Sequence, residues 1–174
     1  RIMSPSLDSL VGNTPLVRLR RVIPTDISPQ VHLYAKLEQY NPSGSVKARA
    51  AARILQEAEE SGSLRPGMTI LDASSGNTGI AYAMFAAQRG YTLKLCLPKN
   101  ANRERKNLLQ AFGADLIYTS PLEGSDGAIE RARALAAENP DWFYCDQYSN
   151  DANWRAHYLG TGPEIWEQTK GAVT

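Results

Sequence analysis

Several things are scarce in this sequence, and each scarcity excludes something. Across 174 residues there are two cysteines, Cys96 and Cys145, far apart. No CxxC pair and no Cys/His spacing suggests zinc. Both thiols sit in apolar stretches, LKLCLP and WFYC, which predicts two buried free thiols in a reducing compartment. An excess of charge is also lacking: 19 Lys+Arg stand against 18 Asp+Glu, a formal net charge of +1. That balance leaves no electrostatic footprint for nucleic acid and no like-charged tail. No apolar run is long enough to span a bilayer, and the opening RIMSPSLDSL has no apolar signal-peptide core. The GxGxxG fingerprint and the GxxxxGK[ST] loop are both missing, which disfavours the nucleotide-binding modes they serve. The expectation is a soluble cytoplasmic protein without a nucleic-acid or membrane partner. Its hydrophobic content is ordinary and argues against disorder.

What is present is alternation. From Ser45 onward, helical and strand-like patterns take turns. Val46, Ala50, Ile54, Leu55 and Ala58 have the spacing of a helix over 45–60, with Ser61–Gly62 as its stop. MTILDA (68–73) reads as a short strand that ends in a Ser-Ser-Gly-Asn turn. TGIAYAMFAAQRG is a helix apolar almost all round, so it is expected between layers. YTLKLCLP is the next strand, closed by Pro98. NRERKNLLQAFGA, ADLIYTS and SDGAIERARALAAEN continue as helix, strand and helix, and WFYCDQY reads as a strand or extended loop. Strands joined by helical crossovers are parallel. Residues from about 45 to 148 therefore predict an α/β fold, an open parallel sheet with helices on its faces. PLVRL and VHLYAKLE read as two strands outside this alternation, and NDANWRAHYLG and GPEIWEQTKG as two short helices after it. AVT, following Gly171, looks like the entry to another strand, so the sequence reads as if cut there.

Two places could carry chemistry. Ligands of open α/β sheets sit beyond the carboxyl ends of the strands. There LDASSGNTG places Ser74, Ser75, Gly76, Asn77, Thr78 and Gly79 between a strand and a helix. Glycines let backbone N–H groups approach a ligand, and a helix N-terminus favours an anion such as a carboxylate or phosphate. Ser, Asn and Gly are also ordinary capping and turn residues, so spacing alone leaves both readings open. The second place is Lys47, a cation where a helix begins, against the helix dipole. It is either a tolerated surface lysine or one kept for chemistry. The small Ala48 and Ala50–Ala52 after it leave room for something to pack close by. A partly desolvated lysine in a positive place gives up its proton more readily, as a Schiff-base lysine must.

At these residues the sequence closely resembles the cysteine synthase (O-acetylserine sulfhydrylase) family, pyridoxal-phosphate (PLP) enzymes of the tryptophan-synthase-β fold type, or fold type II. GNTPLVRL (12–19), NPSGSVKARAA (41–51), SSGNTGIA (74–81) and GTGPEIW (160–166) match in order. The resemblance implies a division of the chain. Residues 41–150 would form the small parallel α/β domain with the PLP lysine and substrate loop. Residues 1–40 and 151–174 would be fragments of a second, larger α/β cofactor domain.

The resemblance also implies roles. Lys47 would carry PLP covalently and then take the Cα proton as general base. Asn77 would bond the cofactor's ring oxygen. Ser75, Gly76 and Thr78, with Ser74 at the edge and Gln147 reaching in, would hold the substrate carboxylate. The implied reaction is replacement at Cβ of an activated serine, O-acetylserine or similar, by a sulfur nucleophile. The implied assembly is a homodimer whose partners are a small amino acid and a sulfur donor, with no metal. Three positions depart from the family's habit or bear on its subclass. Ala48 stands where Asp is common, Ser74 replaces a usual Thr, and Thr78 favours replacement over deamination. The family's Gly/Thr-rich phosphate cradle lies in a C-terminal half beyond Thr174, and GTGPEIW is a separate motif. Cystathionine β-synthase, an O-phosphoserine-using relative and a non-catalytic truncated binding domain are the alternative readings.

Overall fold

The computed structural model describes residues 6–22, 28 and 30–173. Two strands open it, β1 (Leu16–Leu19) and β2 (Leu33–Lys36), paired antiparallel with Leu16 opposite Lys36. They stand apart from the main sheet, as their position outside the alternation predicts. Helix α1 (Lys47–Glu60) follows, stopped by Ser61 and by Gly62 at φ +74°.

The main sheet contains β3 (Thr69–Ala73), β4 (Thr92–Pro98), β5 (Asp115–Thr119) and the two-residue β6 (Phe143–Tyr144). Three helices connect these strands: α2 (Asn77–Arg89), α3 (Arg103–Ala111) and α4 (Gly124–Glu138). All pairings are parallel, in the order β5-β4-β3-β6. This order sets the layers. Steps β3 to β4 and β4 to β5 run one way across the sheet, and the step from β5 to β6 runs back past β3. Right-handed crossovers of opposite direction lie on opposite faces. Accordingly α2 packs with α1 on one face, and α4 covers β3, β4 and β5 on the other.

The strands show the period of two that both faces require. Ile70, Leu93, Leu95 and Leu97 point into the α1/α2 layer, with Tyr82 and Phe85 of α2. Leu71, Ala73 and Cys96 point to α4, against Ala128, Ala132 and Leu135. Helix α2 is buried along most of its length, as its all-round apolar character predicts. Both cysteines are free and buried. Ala48, Ala50 and Ala51 are also buried. What their small size admits is the close packing of α1 against α2 and against α5 (Ala152–Ala156).

The end of the described chain differs from the expected pair of separate helices. Helices α5 and α6 (Gly162–Gln168) run together through a wide π turn at His157–Thr161. Pro163 has no N–H to give the preceding turn, and the backbone widens just before it. Ala172 and Val173 form no strand. Among the described residues no helix is long and apolar enough to cross a membrane.

One buried ion cluster ties the antiparallel pair, α1 and α6 together. Arg49, 4% exposed, lies two residues after Lys47. Its guanidinium bonds Glu38 through Nε (2.7 Å) and Nη2 (2.9 Å), and Glu164 through Nη1 and Nη2 (2.7 Å each). Lys36 Nζ adds a contact to Glu164 at 2.7 Å. Thr14 and Asn41 donate to Glu38 at 2.6 and 2.8 Å, and Gly12 N–H donates to Asn41 Oδ1 at 2.9 Å. Three of the four sequence motifs meet here. Glu164, in GPEIW, is thus a partner of the Arg49 guanidinium.

Burial alone would raise the Glu164 carboxyl; the bonds from Arg49 and Lys36 overcome this and hold it at about 2, from an ordinary 4.5. A carboxyl lowered on folding stabilises the fold above its unfolded pKa, and that contribution disappears as pH falls toward the folded value. The difference corresponds to about 3 kcal/mol before any discount for solvent. Glu164→Gln should cost about 2–3 kcal/mol at pH 7. Its urea midpoint should fall less than that of the natural chain between pH 4.5 and 2. A parallel acid profile in the two proteins would exclude Glu164 as a source of that loss.

Candidate active site

Strand order places the site. It reverses between β3 and β6, so the loops leaving these two strands diverge and open a crevice at their carboxyl ends. From β3 comes Ser74–Thr78, and from β6 comes the turn with Gln147. The loops are joined: Gln147 Nε2 donates to the Ala73 carbonyl at 3.1 Å, and Asn153 Nδ2 holds the Gln147 carbonyl at 2.8 Å. A cleft of about 360 Å³ forms there, and Lys47, Ser74, Ser75, Gly76, Asn77, Thr78 and Gln147 all line it. The structure thus brings together every site residue the sequence predicts.

The loop is built to present backbone donors. Ser74 Oγ accepts from Gly76 N–H (3.3 Å) and Gly79 N–H (3.0 Å), folding the turn around its own hydroxyl. Ser74 N–H is taken by the Cys96 carbonyl at 3.1 Å. The N–H groups of Ser75, Asn77 and Thr78 have no acceptor among the described residues. Helix α2 starts at Asn77 with no side-chain cap, so its positive end stays open to the cleft. Ser74 shapes the cradle, while Ser75, Asn77 and Thr78 supply its free donors. Gly79 allows this closeness: a Cβ there would lie 2.9 Å from the Ser74 carbonyl and 3.3 Å from Leu95 Cδ1.

Lys47 approaches from α1 as the first residue of that helix. The Lys47 N–H rests on Ser45 Oγ at 3.2 Å, and Val46 gives no side-chain cap. The side chain is half-buried and forms no ion pair among the described residues. Ala48 is fully buried in the core with Ile54 and Leu55, so an acidic side chain at this position would meet an apolar environment.

Other lining residues were not singled out from the sequence: Cys96, Arg105, Ser125, Ile129 and Tyr148. They belong to the ends of β4, α3 and α4 or to the turn after Gln147. The rule that ligands gather beyond strand carboxyl ends, applied to the loops after β4 and β5 as well, points to Arg105 and Ser125. Burial pushes the Cys96 thiol up to about 11, with the Arg131 charge opposing and Asp72 adding. Cys96 is therefore an apolar wall of the cleft.

The fold and cleft define a doubly wound α/β protein with a lysine and a loop of free backbone donors at its switch point. The chain belongs to the pyridoxal-phosphate dependent enzymes: the model of that family matches residues 7–174. A cysteine synthase of Aquifex aeolicus is 51% identical over 166 residues, covering 95% of this chain and 51% of the relative. Cysteine synthase B of Salmonella typhimurium is 46% identical, covering 97% of this chain and 54% of its own length. The crystal structure of an Entamoeba histolytica cysteine synthase superposes with TM-score 0.91 at 39% identity, covering 99% of this chain and 53% of that one. That of an O-ureido-L-serine synthase superposes with TM-score 0.89 at 38% identity, covering 97% and 52%. The chain spans about half the length of the curated relatives it matches.

The donor set suits the cofactor of this family on one side. A primary amine, Lys47, and an exposed side-chain amide, Asn77, share the cleft. Gly76 leaves open space above the loop, since a Cβ there would touch nothing within 4 Å. No second glycine-rich loop for a phosphate lines the cleft among the described residues.

Gly79→Ala tests the loop's construction. The methyl must displace the Ser74 carbonyl, which should cost about 1–3 kcal/mol. The expected readout is a lower urea midpoint with amide resonances of residues 74–78 shifted and the rest of the spectrum retained. Unchanged resonances would show that the loop does not depend on this approach.

Proposed function

We propose that this chain provides the lysine and substrate-carboxylate side of a PLP-dependent cysteine synthase. The reaction replaces the Cβ substituent of an activated serine, O-acetylserine or a similar compound, with a sulfur nucleophile to form cysteine. One observation carries this reading: Lys47 and the free N–H groups of Ser75, Asn77 and Thr78 face the same cleft, beside Gln147. The amine and the anion cradle are the two grips that an α-amino acid requires. Within this reading residues 41–150 are the small domain, residues 1–40 and 151–174 belong to the larger one, and the protein is a cytoplasmic homodimer.

PLP, when bound, supplies the electron sink that makes the Cα proton of an amino acid acidic. The chain's own residues do the rest. Lys47 is the residue that would hold the cofactor, and its amine, when neutral, would serve as the base for the Cα proton. The backbone N–H groups of Ser75, Asn77 and Thr78, the Thr78 hydroxyl and the Gln147 amide hold the carboxylate. With that end fixed, the Cα–H bond is oriented toward Lys47 rather than rotating freely. The exposed Asn77 side-chain amide on the loop would be a hydrogen-bonding group for the cofactor ring. The apolar wall formed by Cys96, Ala128 and Ile129 limits water beside the reacting carbon.

Borohydride treatment of the holoenzyme should fix the cofactor on the peptide containing Lys47, and Lys47→Ala should abolish fixation. Label on another lysine would overturn the assignment. Adding O-acetylserine should change the cofactor's absorbance. Thr78→Ala, which removes the hydroxyl, should weaken that response about 10-fold or more, the scale of one hydrogen bond to a charged group, with cofactor retention nearly unchanged. Equal loss of both would refute the carboxylate role.

A further inference from the structure

Beneath the carboxylate cradle lies an acid that the proposed reaction does not use. Asp72, 1% exposed, is the fourth residue of β3. By alternation along the strand it shares the α2 face with Ile70. Its Oδ1 accepts the Ala73 N–H at 2.8 Å, and the Ala73 carbonyl is the acceptor that holds the Gln147 side chain. Asp72 therefore stands where the chain leaving β3 meets the chain leaving β6, next to both halves of the site.

Among the described residues no cation neutralises it. Tyr82 of α2 and Cys145 after β6 share its face of the sheet, and Cys96 of β4, Tyr144 of β6 and Asp146 in the turn after it lie close enough to feel or add to its charge. The nearest arginines of α4, Arg131 and Arg133, act on Cys96 and Tyr144. Asp72 Oδ2, Tyr82 Oη and Asp146 Oδ1 are all buried without a hydrogen-bond partner among the described residues. Asp146 also has an unusual positive φ of 44°. A polar cluster this closed would be costly to leave charged.

We infer that Asp72 is a positioning residue for the amino-acid carboxylate subsite, a neutral acid that braces Ala73 and Gln147 and so lets an anion bind directly above it. The inference rests on the carboxylate reading of the cleft. Three residues of chain separate Asp72 from Ser75, so an anion on the loop lies within about 10 Å. At an effective dielectric of about 20, like charges at that separation weaken binding roughly 10-fold. Burial holds the Asp72 carboxyl up to about 7, with the bond from the Ala73 N–H pulling it down and Asp146 adding to the rise. Below that pH the acid is neutral and the subsite accepts a carboxylate. Above it, the acid carries a charge that a bound carboxylate must either tolerate or expel by proton uptake.

The test uses propionate, a carboxylate without a titrating amine, on the holoenzyme. Binding is followed by calorimetry in buffers of different ionisation heat, with competition against O-acetylserine. In the natural protein the dissociation constant should rise about 10-fold between pH 6 and 8.5, with proton uptake peaking at about half a proton per propionate near pH 7.5 and falling away on either side. Asp72→Asn keeps the acceptor for Ala73. It should bind propionate with the natural protein's low-pH affinity at every pH and take up no proton. Asp72→Ala, which lacks the acceptor, should bind more weakly throughout, so that Asn rescues what Ala loses. An Asn variant with the natural pH profile, or a natural protein that takes up no proton, overturns the inference. The carboxyl carbon resonance of Asp72 in the natural protein is a check independent of any variant. It should titrate near neutrality and move upward when propionate saturates the site, and an ordinary Asp titration refutes the proposal. Propionate that fails to compete with O-acetylserine at any pH refutes the carboxylate reading itself, whereas competition with an unchanged profile refutes only the role of Asp72.

Discussion

The arrangement depends on one buried guanidinium. Arg49 is held by two carboxylates that are distant in sequence, Glu38 and Glu164. Glu38 lies just after the antiparallel pair, and Glu164 lies on the last helix. Burying a charge is costly unless it is paired and hydrogen-bonded, so this position accepts little besides both partners in place. Arg49 is on the first turn of α1, two residues from Lys47. The contact that joins the ends of the chain therefore also fixes where the lysine's helix begins. Lys47 itself then needs no partner to be positioned.

The second constraint is topological. A sheet that grows one way and then steps back across its first strand must separate a pair of loops at the point of reversal. Here that gap lies between β3 and β6. The Gln147 amide bridges it at one carbonyl, and the Ser74 hydroxyl gathers the loop on the other side. Because these local bonds consume the Gly76 and Gly79 N–H groups, the donors left over are those of Ser75, Asn77 and Thr78. A set of free backbone donors is what remains once the turn has satisfied itself. The close approach at Gly79 and the buried acid at Asp72 lie on either side of the same turn.

Much of this was legible in the residues. Apolar periodicity marked α1 to α4 and the three longer strands, because each of these elements buries one face or both. Lys47 and the SSGNTG loop were visible as chemistry-bearing types at element ends. The resemblance to a known family joined them into one site. The alanines after Lys47 were legible as small but not in purpose: they admit neighbouring helices. The continuity of α5 through the π turn into α6 was not legible either. A proline and two glycines read locally as a break, and only packing against α1 and the Glu164 ion pair holds the widened turn in a single run.

The sequence by itself determined the element types, the parallel sheet and which side chains line the cleft as candidates, since these follow from periodicity, turn chemistry and motif. Tertiary structure alone decided that β6 pairs with β3, that Gln147 therefore meets the Ser74–Thr78 loop, and that Asp72 lies unneutralised beneath both. Strand order and the environment of a buried charge depend on contacts between residues tens of positions apart. No local pattern records those contacts, because a local pattern reports only what its own few residues can satisfy.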